Sequence, residues 1–434
     1  MKFTRVFAFM ALAGLAGSAF ATNGYFAHGN GMKAKGMAGA STAMHDDAFA
    51  GANNPAAAAF SGNRIDLGVD LFSPKREMSR SGSTGNPGFG TPPLDGSAQS
   101  DSDYFLIPEF GYNQMVNDSM AWGVTAYGNG GMNTNYPAAT TGCGPGSNLL
   151  CGQGNLGVDL VQLIIAPTFA YKIAPDHSLG ISPLIGYQRF KAEGLQAFQG
   201  ISSDRANVTD NGYDDAWGWG FRFGYMGQIT PTVTIGAAYA TKISFSSFNK
   251  YAGLFAEQGN FDIPENYNLG VAWQATPQVK LALDYQRINY SGVNSVGNPQ
   301  SNFMTCNPFN APNAIGPGCL GESGGAGFGW SDINVWKLGV EYKHDKEWTF
   351  RGGWNHGDNP ISSANVEFNT IAPGVITDHL TLGFTYTVAS GNEVTMAYMH
   401  AFENSVTGPS PFFGGTDTIQ MYQNSLGVQY SWKM

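Results

Sequence analysis

The last segment of the chain alternates with a period of two. Tyr422, Asn424, Leu426, Val428, Tyr430, Trp432 and Met434 share one side; Gln423, Ser425, Gly427, Gln429, Ser431 and Lys433 share the other. That period places alternate side chains on opposite faces of a β-strand. The run exceeds the ~9–11 residues a tilted strand needs to cross a bilayer. The pattern recurs. Trp217, Trp219, Phe221, Phe223 and Tyr225 alternate with Gly218, Gly220, Arg222 and Gly224, and Leu380, Leu382, Phe384, Tyr386 and Val388 with Thr381, Gly383, Thr385 and Thr387. A soluble sandwich would carry charge on its outward face. Here the polar set is Gly, Thr, Ser and Gln, which suits a crowded or wet lumen.

Fourteen such segments can be counted: 63–72, 103–114, 120–129, 157–172, 178–190, 215–229, 232–245, 262–275, 278–290, 332–343, 347–356, 377–388, 392–402 and 418–433. Every even-numbered connection is short, with centres such as Pro175-Asp176, Thr230-Pro231 and Ser390-Gly391, whereas the odd ones are long: 73–102, 130–156, 191–214, 246–261, 291–331, 357–376 and 403–417. Short periplasmic turns and long external loops are the signature of a transmembrane β-barrel with both termini inside. The predicted fold is all-β, a 14-stranded antiparallel barrel over residues 61–434.

Composition agrees. Charged residues make up 12%, aromatics 13%, and glycine reaches 59 positions, without any long apolar helix; soluble domains usually carry about a quarter charged residues. Lys2 and Arg5, an apolar run from Val6 to Gly17 and Ala19-Phe20-Ala21 predict a signal peptide over 1–21. Its apolar run is too short to cross a ~30 Å core as a helix. Removing the two cations takes the net charge from −10 to −12, which argues against nucleic acid as a partner. Cys143, Cys151, Cys306 and Cys319 occupy two long loops, in an exported chain that favours disulfides. Three connectivities are open, pairing within each loop is expected, and no His or acidic ligands accompany the cysteines to make a metal site. The histidines occur singly and no catalytic pattern emerges, so neither an enzyme nor a cofactor is expected.

Residues 22–60 do not alternate. They hold a small-residue stretch from Gly36 to Ala59 with His45-Asp46-Asp47 and Asn53-Asn54-Pro55-Ala56. This composition predicts a compact, partly helical hatch plugging the lumen; the competing reading is a periplasmic extension. A plug argues against a nonspecific porin.

Gly36-Met37-Ala38-Gly39-Ala40, Asp46-Asp47 and Asn54-Pro55-Ala56, then Asp262-Ile263-Pro264, Trp336-Lys337-Leu338-Gly339-Val340-Glu341-Tyr342, Arg351-Gly352-Gly353-Trp354 and Asp378-His379, come in the order found in the FadL-type family of long-chain fatty-acid and hydrocarbon transporters of Gram-negative outer membranes, which the mature chain resembles throughout. The resemblance implies capture of a long-chain fatty acid or other hydrophobic molecule by external loops, passage into the lumen, and lateral release through a gap at a kink in the third strand. It implies a hatch and gate carrying Asp46, Asp47, Asn54, Pro55 and Ala56, with Asn54-Pro55-Ala56 beside the gap. The third strand holds Gly123, Gly128, Gly130 and Gly131, which suit a bend, although barrel crowding would also use them. Leu195, Phe198, Ile201, Phe245, Phe248, Tyr251, Leu254 and Phe255 are candidates for an apolar capture surface on the loops; packing on one another is the alternative. Arg222, Lys280 and Lys337 face the lumen by parity and are candidates for a head-group cation, with Glu109, Asp284 and Glu341 on the same face as alternative partners. A monomer is expected, surrounded by outer-membrane lipid and lipopolysaccharide and inserted by the barrel assembly machinery, though Met434 replaces the terminal Phe common in such barrels. A surface adhesin acting through the long loops is the alternative function.

Overall fold

A computed structural model describes residues 23–88 and 90–434, without the side chains of Thr140 and Thr141; the predicted signal peptide lies outside the described residues. Fourteen antiparallel strands form the barrel: β1 Arg64–Ser81, β2 Phe105–Met115, β3 Met120–Tyr136, β4 Leu156–Ala174, β5 His177–Glu193, β6 Asp214–Thr230, β7 Val233–Ala240, β8 Asn266–Gln274, β9 Val279–Ile288, β10 Ile333–Lys343, β11 Trp348–Gly357, β12 Asp378–Thr387, β13 Glu393–Pro409 and β14 Thr416–Lys433. Each pairs with its sequence neighbours, and β14 closes on β1 from Arg64 opposite Lys433 to Ser81 opposite Thr416. Closure pairs the strand edges all round the wall except where β2 and β3 part, sparing unpaired backbone groups that are costly in lipid.

The alternation decides which side chains meet lipid. Trp217, Trp219, Phe223, Leu269, Trp273, Leu338, Leu380, Leu382 and Leu426 are exposed on the outer wall, while Gly218, Arg222, Lys337, Thr381, Gln429 and Ser431 are buried within.

Five strands depart clearly from the expected bounds: β1, β3 and β13 run on to Ser81, Tyr136 and Pro409, and β7 and β8 are shorter. β1 and β14 each run for 18 residues, roughly 60 Å at ~3.3 Å per residue, and therefore stand well above a hydrocarbon core of ~30 Å. The sequence reading stopped β1 at Phe72 because Pro74, Lys75, Arg76, Glu77 and Arg80 look loop-like. Outside the bilayer such charges are tolerated, and Arg80 is paired inward with Asp417 at 2.6 Å and Glu367 at 3.6 Å. β7 ends at Ala240 rather than 245; Thr241 and Ser246 still bond to β6, and Ser244 and Phe245 pair with it again. β8 begins at Asn266 because Pro264, which has no N–H, keeps the preceding residues out of the ladder.

Residues 23–61 fill the lumen as a hatch containing α1 (Met32–Gly36), α2 (Ala50–Asn53) and a 3₁₀ turn at Pro55–Ala59. Its side chains and backbone reach β1, β2, β6, β9, β10 and β13, strands on all sides of the barrel. Disulfides join Cys143 to Cys151 and Cys306 to Cys319, each within one external loop.

Candidate functional site

α1 is too short to hold itself together, and the barrel wall supplies the missing partners. Its first amides, Gly31 and Met32, donate to Glu109 Oε2 (3.1 Å) and Gln429 Oε1 (2.9 Å). Lys35 Nζ donates to Asp70 at 2.9 Å and Glu109 at 2.5 Å, and Lys33 Nζ to Glu393 at 2.7 Å. Asp284 accepts from Ser41 N, Thr42 N and Thr42 Oγ1 at 2.7–2.8 Å. These charges are buried, so each depends on its partner. Sequence reading missed Lys33 and Lys35, although two lysines inside a stretch of Ala, Gly and Met were a signal for buried ion pairs.

The predicted hatch residues are all engaged in this docking. Asn54 caps the 3₁₀ turn, its Oδ1 accepting from Ala56 N at 3.1 Å, while its Nδ2 donates to Thr42 O (2.8 Å) and Tyr225 O (2.9 Å). Ser178 on β5 donates to Ala56 O at 2.8 Å. Gly180 and Gly224 face Pro55 and Asn54 so closely that any side chain there would collide with them. Asp46 pairs with Lys280 at 3.5 Å, and Asp47 Oδ1 accepts from Ala50 N at 3.1 Å. Burial, and then the charge of Asp66, pushes the Asp47 carboxyl up to about 6. Asn54-Pro55-Ala56 is thus bonded to β5 and β6, whose glycines admit it, while the turn it opens meets the third strand lower down, where Ala58 and Ala59 pack with Ala121.

A gap does exist in the wall. β2 pairs with β3 only from Met115 opposite Ala121 to Phe110 opposite Ala126. Beyond that point β2 continues toward Phe105 beside β1, whereas β3 continues to Tyr136 beside β4. The divergence coincides with a bulge: Gly128 opposes Leu163 and Gly130 opposes Gln162, leaving Asn129 as the extra residue. Gly128 and Gly130 flank it, while Gly123 lies lower, in the paired region. The segment that covers the bulge is the start of the hatch, with Phe26 bridging to Gly130 and Ala27 N donating to Asn129 O at 3.1 Å. Gly130 has no room for a Cβ against the Tyr25 carbonyl.

The expected exposed capture surface is not there. Leu195, Phe198, Ile201, Phe245, Phe248, Tyr251 and Phe255 are all buried and Leu254 is partly so. Apolar side chains from several loops remove more surface from water by packing together than any one loop could alone. The Phe190 and Phe255 rings pack at a tilt with centroids 4.7 Å apart, and Phe198 meets Phe368 edge to face at 4.9 Å. Three of the candidates, Phe198, Leu254 and Phe255, line a small apolar cavity with Met132, Phe328 and Ile371, about 40 Å³ in volume. Met132 also lines a second, smaller and largely apolar cavity with Tyr25, Phe72, Arg76, Gly131 and Trp330, about 20 Å³, beside the bulge. Tyr25 is wedged there between Tyr290 (5.1 Å) and Trp330 (5.7 Å), residues of an external loop.

Below Phe26 the lining changes. His28, Asn30, Thr42, Asn129, Arg222, Asn266, Gln286 and Lys337 surround a polar space of about 50 Å³. The candidate head-group cations belong here or lower and are held by the protein itself. Arg222 donates to Ala52 O and Tyr127 Oη, Lys337 to His28 O at 3.0 Å, and Lys280 pairs with Asp46 and, at 3.4 Å, Glu341.

Comparison with known proteins places this architecture. The Pseudomonas putida toluene transporter TodX has 19% identity and a TM-score of 0.68, with 95% of this chain and 100% of that one covered. A Pseudomonas aeruginosa FadL homologue has 16% identity and a TM-score of 0.67, covering 94% of this chain and 99% of that one. The Ralstonia pickettii toluene transporter TbuX has 19% identity and a TM-score of 0.62, again covering 94% and 99%. No curated protein matches the sequence. A model of the family described as outer membrane protein transport protein (OMPP1/FadL/TodX) matches residues 8–411. Barrel, hatch and family match agree, and the chain belongs to the OMPP1/FadL/TodX family of bacterial outer-membrane transport proteins.

Proposed function

We propose that this protein takes up hydrophobic molecules, aliphatic or aromatic, through the loop cavity and releases them sideways into the bilayer between β2 and β3. The observation that carries this reading is the sequence of linings. Two apolar cavities share Met132 and lead to the bulge at Asn129, where the β2–β3 ladder has already ended, and the space beyond them is polar. Each buried CH₂ favours an apolar environment by ~0.8 kcal/mol, so a greasy solute reaching the gap is driven toward lipid and away from the polar lumen. Tyr25, packed between the loop residues and the bulge, is the group that must yield for such a molecule to pass. The toluene transport of TodX and TbuX supports the substrate class.

The test is uptake of labelled toluene and labelled oleate by a strain lacking the protein, with and without the wild-type gene restored. Restored uptake of either supports transport. Uptake of both that is unchanged by the protein overturns it, and a loop truncation that abolishes cell adhesion would then favour the adhesin.

A further inference from the structure

The second cavity is lined by a cation with no carboxylate at ion-pair distance. Arg76 on β1 is 2% exposed and lines a wall built mainly from Tyr25, Phe72, Met132, Trp330 and Met421, with Asn133 as its other polar residue. Its donors meet only neutral acceptors: Nη1 donates to Asn133 O at 2.6 Å, and Nη2 to Ser100 Oγ at 3.2 Å and to Ser102 O. Nε–H is buried without a partner. The neighbouring carboxylate, Asp103, is paired with Lys75. The other buried cations of β1 and α1 are treated differently, since Arg64, Arg80, Lys33 and Lys35 each hold carboxylates at ion-pair distance. A buried guanidinium with no counter-ion is costly, and one with a free N–H in an apolar pocket is an incomplete anion site.

Arg222 and Lys337 also lack a carboxylate at ion-pair distance, but they border the polar space under the hatch, not the apolar cavities. Only Arg76, among the described residues, combines a missing counter-ion with an apolar cavity wall.

We infer that Arg76 is the specificity-determining residue of the channel and that its ligand is an anionic amphiphile, a carboxylate carried on an apolar chain or ring. The carboxylate meets Nε–H and the adjoining face of the guanidinium. The apolar body takes the place that Tyr25 gives up beside Trp330 and Met132 and extends past Met132 toward the loop cavity. This assignment rests on the reading that the two cavities are the transport route. It also selects within that reading, because a neutral hydrocarbon satisfies the apolar walls and leaves the charge uncompensated.

The experiment compares dodecanoate with dodecanol, which share a chain and differ in charge. Their binding to the full barrel in nanodiscs of zwitterionic lipid is measured by calorimetry, with empty nanodiscs correcting for partition. Wild type is expected to prefer the carboxylate by about ten- to a hundredfold, as a charge-assisted hydrogen bond in an apolar site provides. Arg76→Gln should abolish that preference while leaving dodecanol binding unchanged, and Arg76→Lys should restore part of it. Equal affinities in the wild type overturn the inference whether or not a variant folds. So does a preference lost in Lys337→Met but kept in Arg76→Gln, which would place the head group under the hatch. In both cases uptake of toluene or oleate would still stand as evidence for transport; absence of that uptake is the separate result that overturns the route itself.

Discussion

Deleting Asn129 removes the bulge and nothing else from the β3–β4 ladder. Gly128 and Gly130 already oppose successive β4 residues, Leu163 and Gln162. Residues 130–136 therefore keep their faces when the extra residue goes, and the apolar cavity keeps Met132. The deletion loses the Asn129 Nδ2 bond to Gln162 (3.2 Å) and the Ala27 bond to the Asn129 carbonyl (3.1 Å), a cost of about 1 kcal/mol each. The straightened β3 can instead continue its ladder along Phe105–Glu109 of β2. Pro108 donates no hydrogen bond, so about three new ladder bonds are expected, each worth ~4–6 kcal/mol in an apolar medium. Folding is thus close to neutral, whereas opening the wall for each passing molecule would cost more than about 10 kcal/mol. The assay is uptake of labelled oleate and toluene by cells producing the variant, with assembly checked by heat-modifiable mobility on gels. Uptake should fall to the level of cells lacking the protein. A correctly assembled variant that transports at the wild-type rate would refute the β2–β3 gap as the exit.

Three further outcomes are expected. Lys35→Met leaves Asp70 and Glu109 buried without their cation, destabilising the docked hatch by about 3–5 kcal/mol; planar-bilayer recordings should then show conductance steps that the wild type lacks, and silent variant channels with residues 23–60 still protected from protease would contradict the ion pair's role. Replacing Cys306 and Cys319 together by Ser frees a loop closed across 13 residues, worth about 3 kcal/mol of local stability, so protease should cut 289–332 faster while the barrel's melting is unchanged. Burial, and then the charge of Asp417, pushes the Glu367 carboxyl up to about 7; a raised carboxyl favours the folded loop most below its unfolded value of ~4.3 and loses that contribution as pH rises through about 7, so hydrogen-exchange protection factors in 358–377, corrected for the intrinsic pH dependence of exchange, should be higher at pH 5 than at pH 8, and Glu367→Gln should remove the difference.

The strands were legible because lipid imposes one rule on every one of them: outward side chains apolar, inward ones small or polar. Where lipid stops, the rule stops, and the upper half of β1 was read as loop from its Lys75, Arg76, Glu77 and Arg80. Loop burial was hidden for a related reason. Phe198, Phe255, Phe328 and Phe368 come from four different loops, and no single loop shows that the others will cover it. The hatch was visible as small residues that could pack, and Asn54 ahead of Pro55 as a turn cap. What holds it was not visible, because Lys33 and Lys35 take their meaning from Asp70, Glu109 and Glu393 on three separate strands.

The gap shows the limit most sharply. Gly123, Gly128, Gly130 and Gly131 in one strand fit a bend and fit crowding equally well, since both need backbone without a side chain. Composition cannot separate the two; register can. Gly123 lies where β2 is still paired, and its missing side chain makes room for the carbonyl of Tyr112 on that partner. Gly130 lies past the last β2 partner and makes room for the carbonyl of Tyr25 in the hatch. One glycine thus serves the wall and the other serves what covers the opening. Substituting Gly123→Ala should therefore impair barrel assembly, whereas Gly130→Ala should assemble and loosen Tyr25, raising uptake. If both variants fail to assemble, the distinction between wall and cover is wrong.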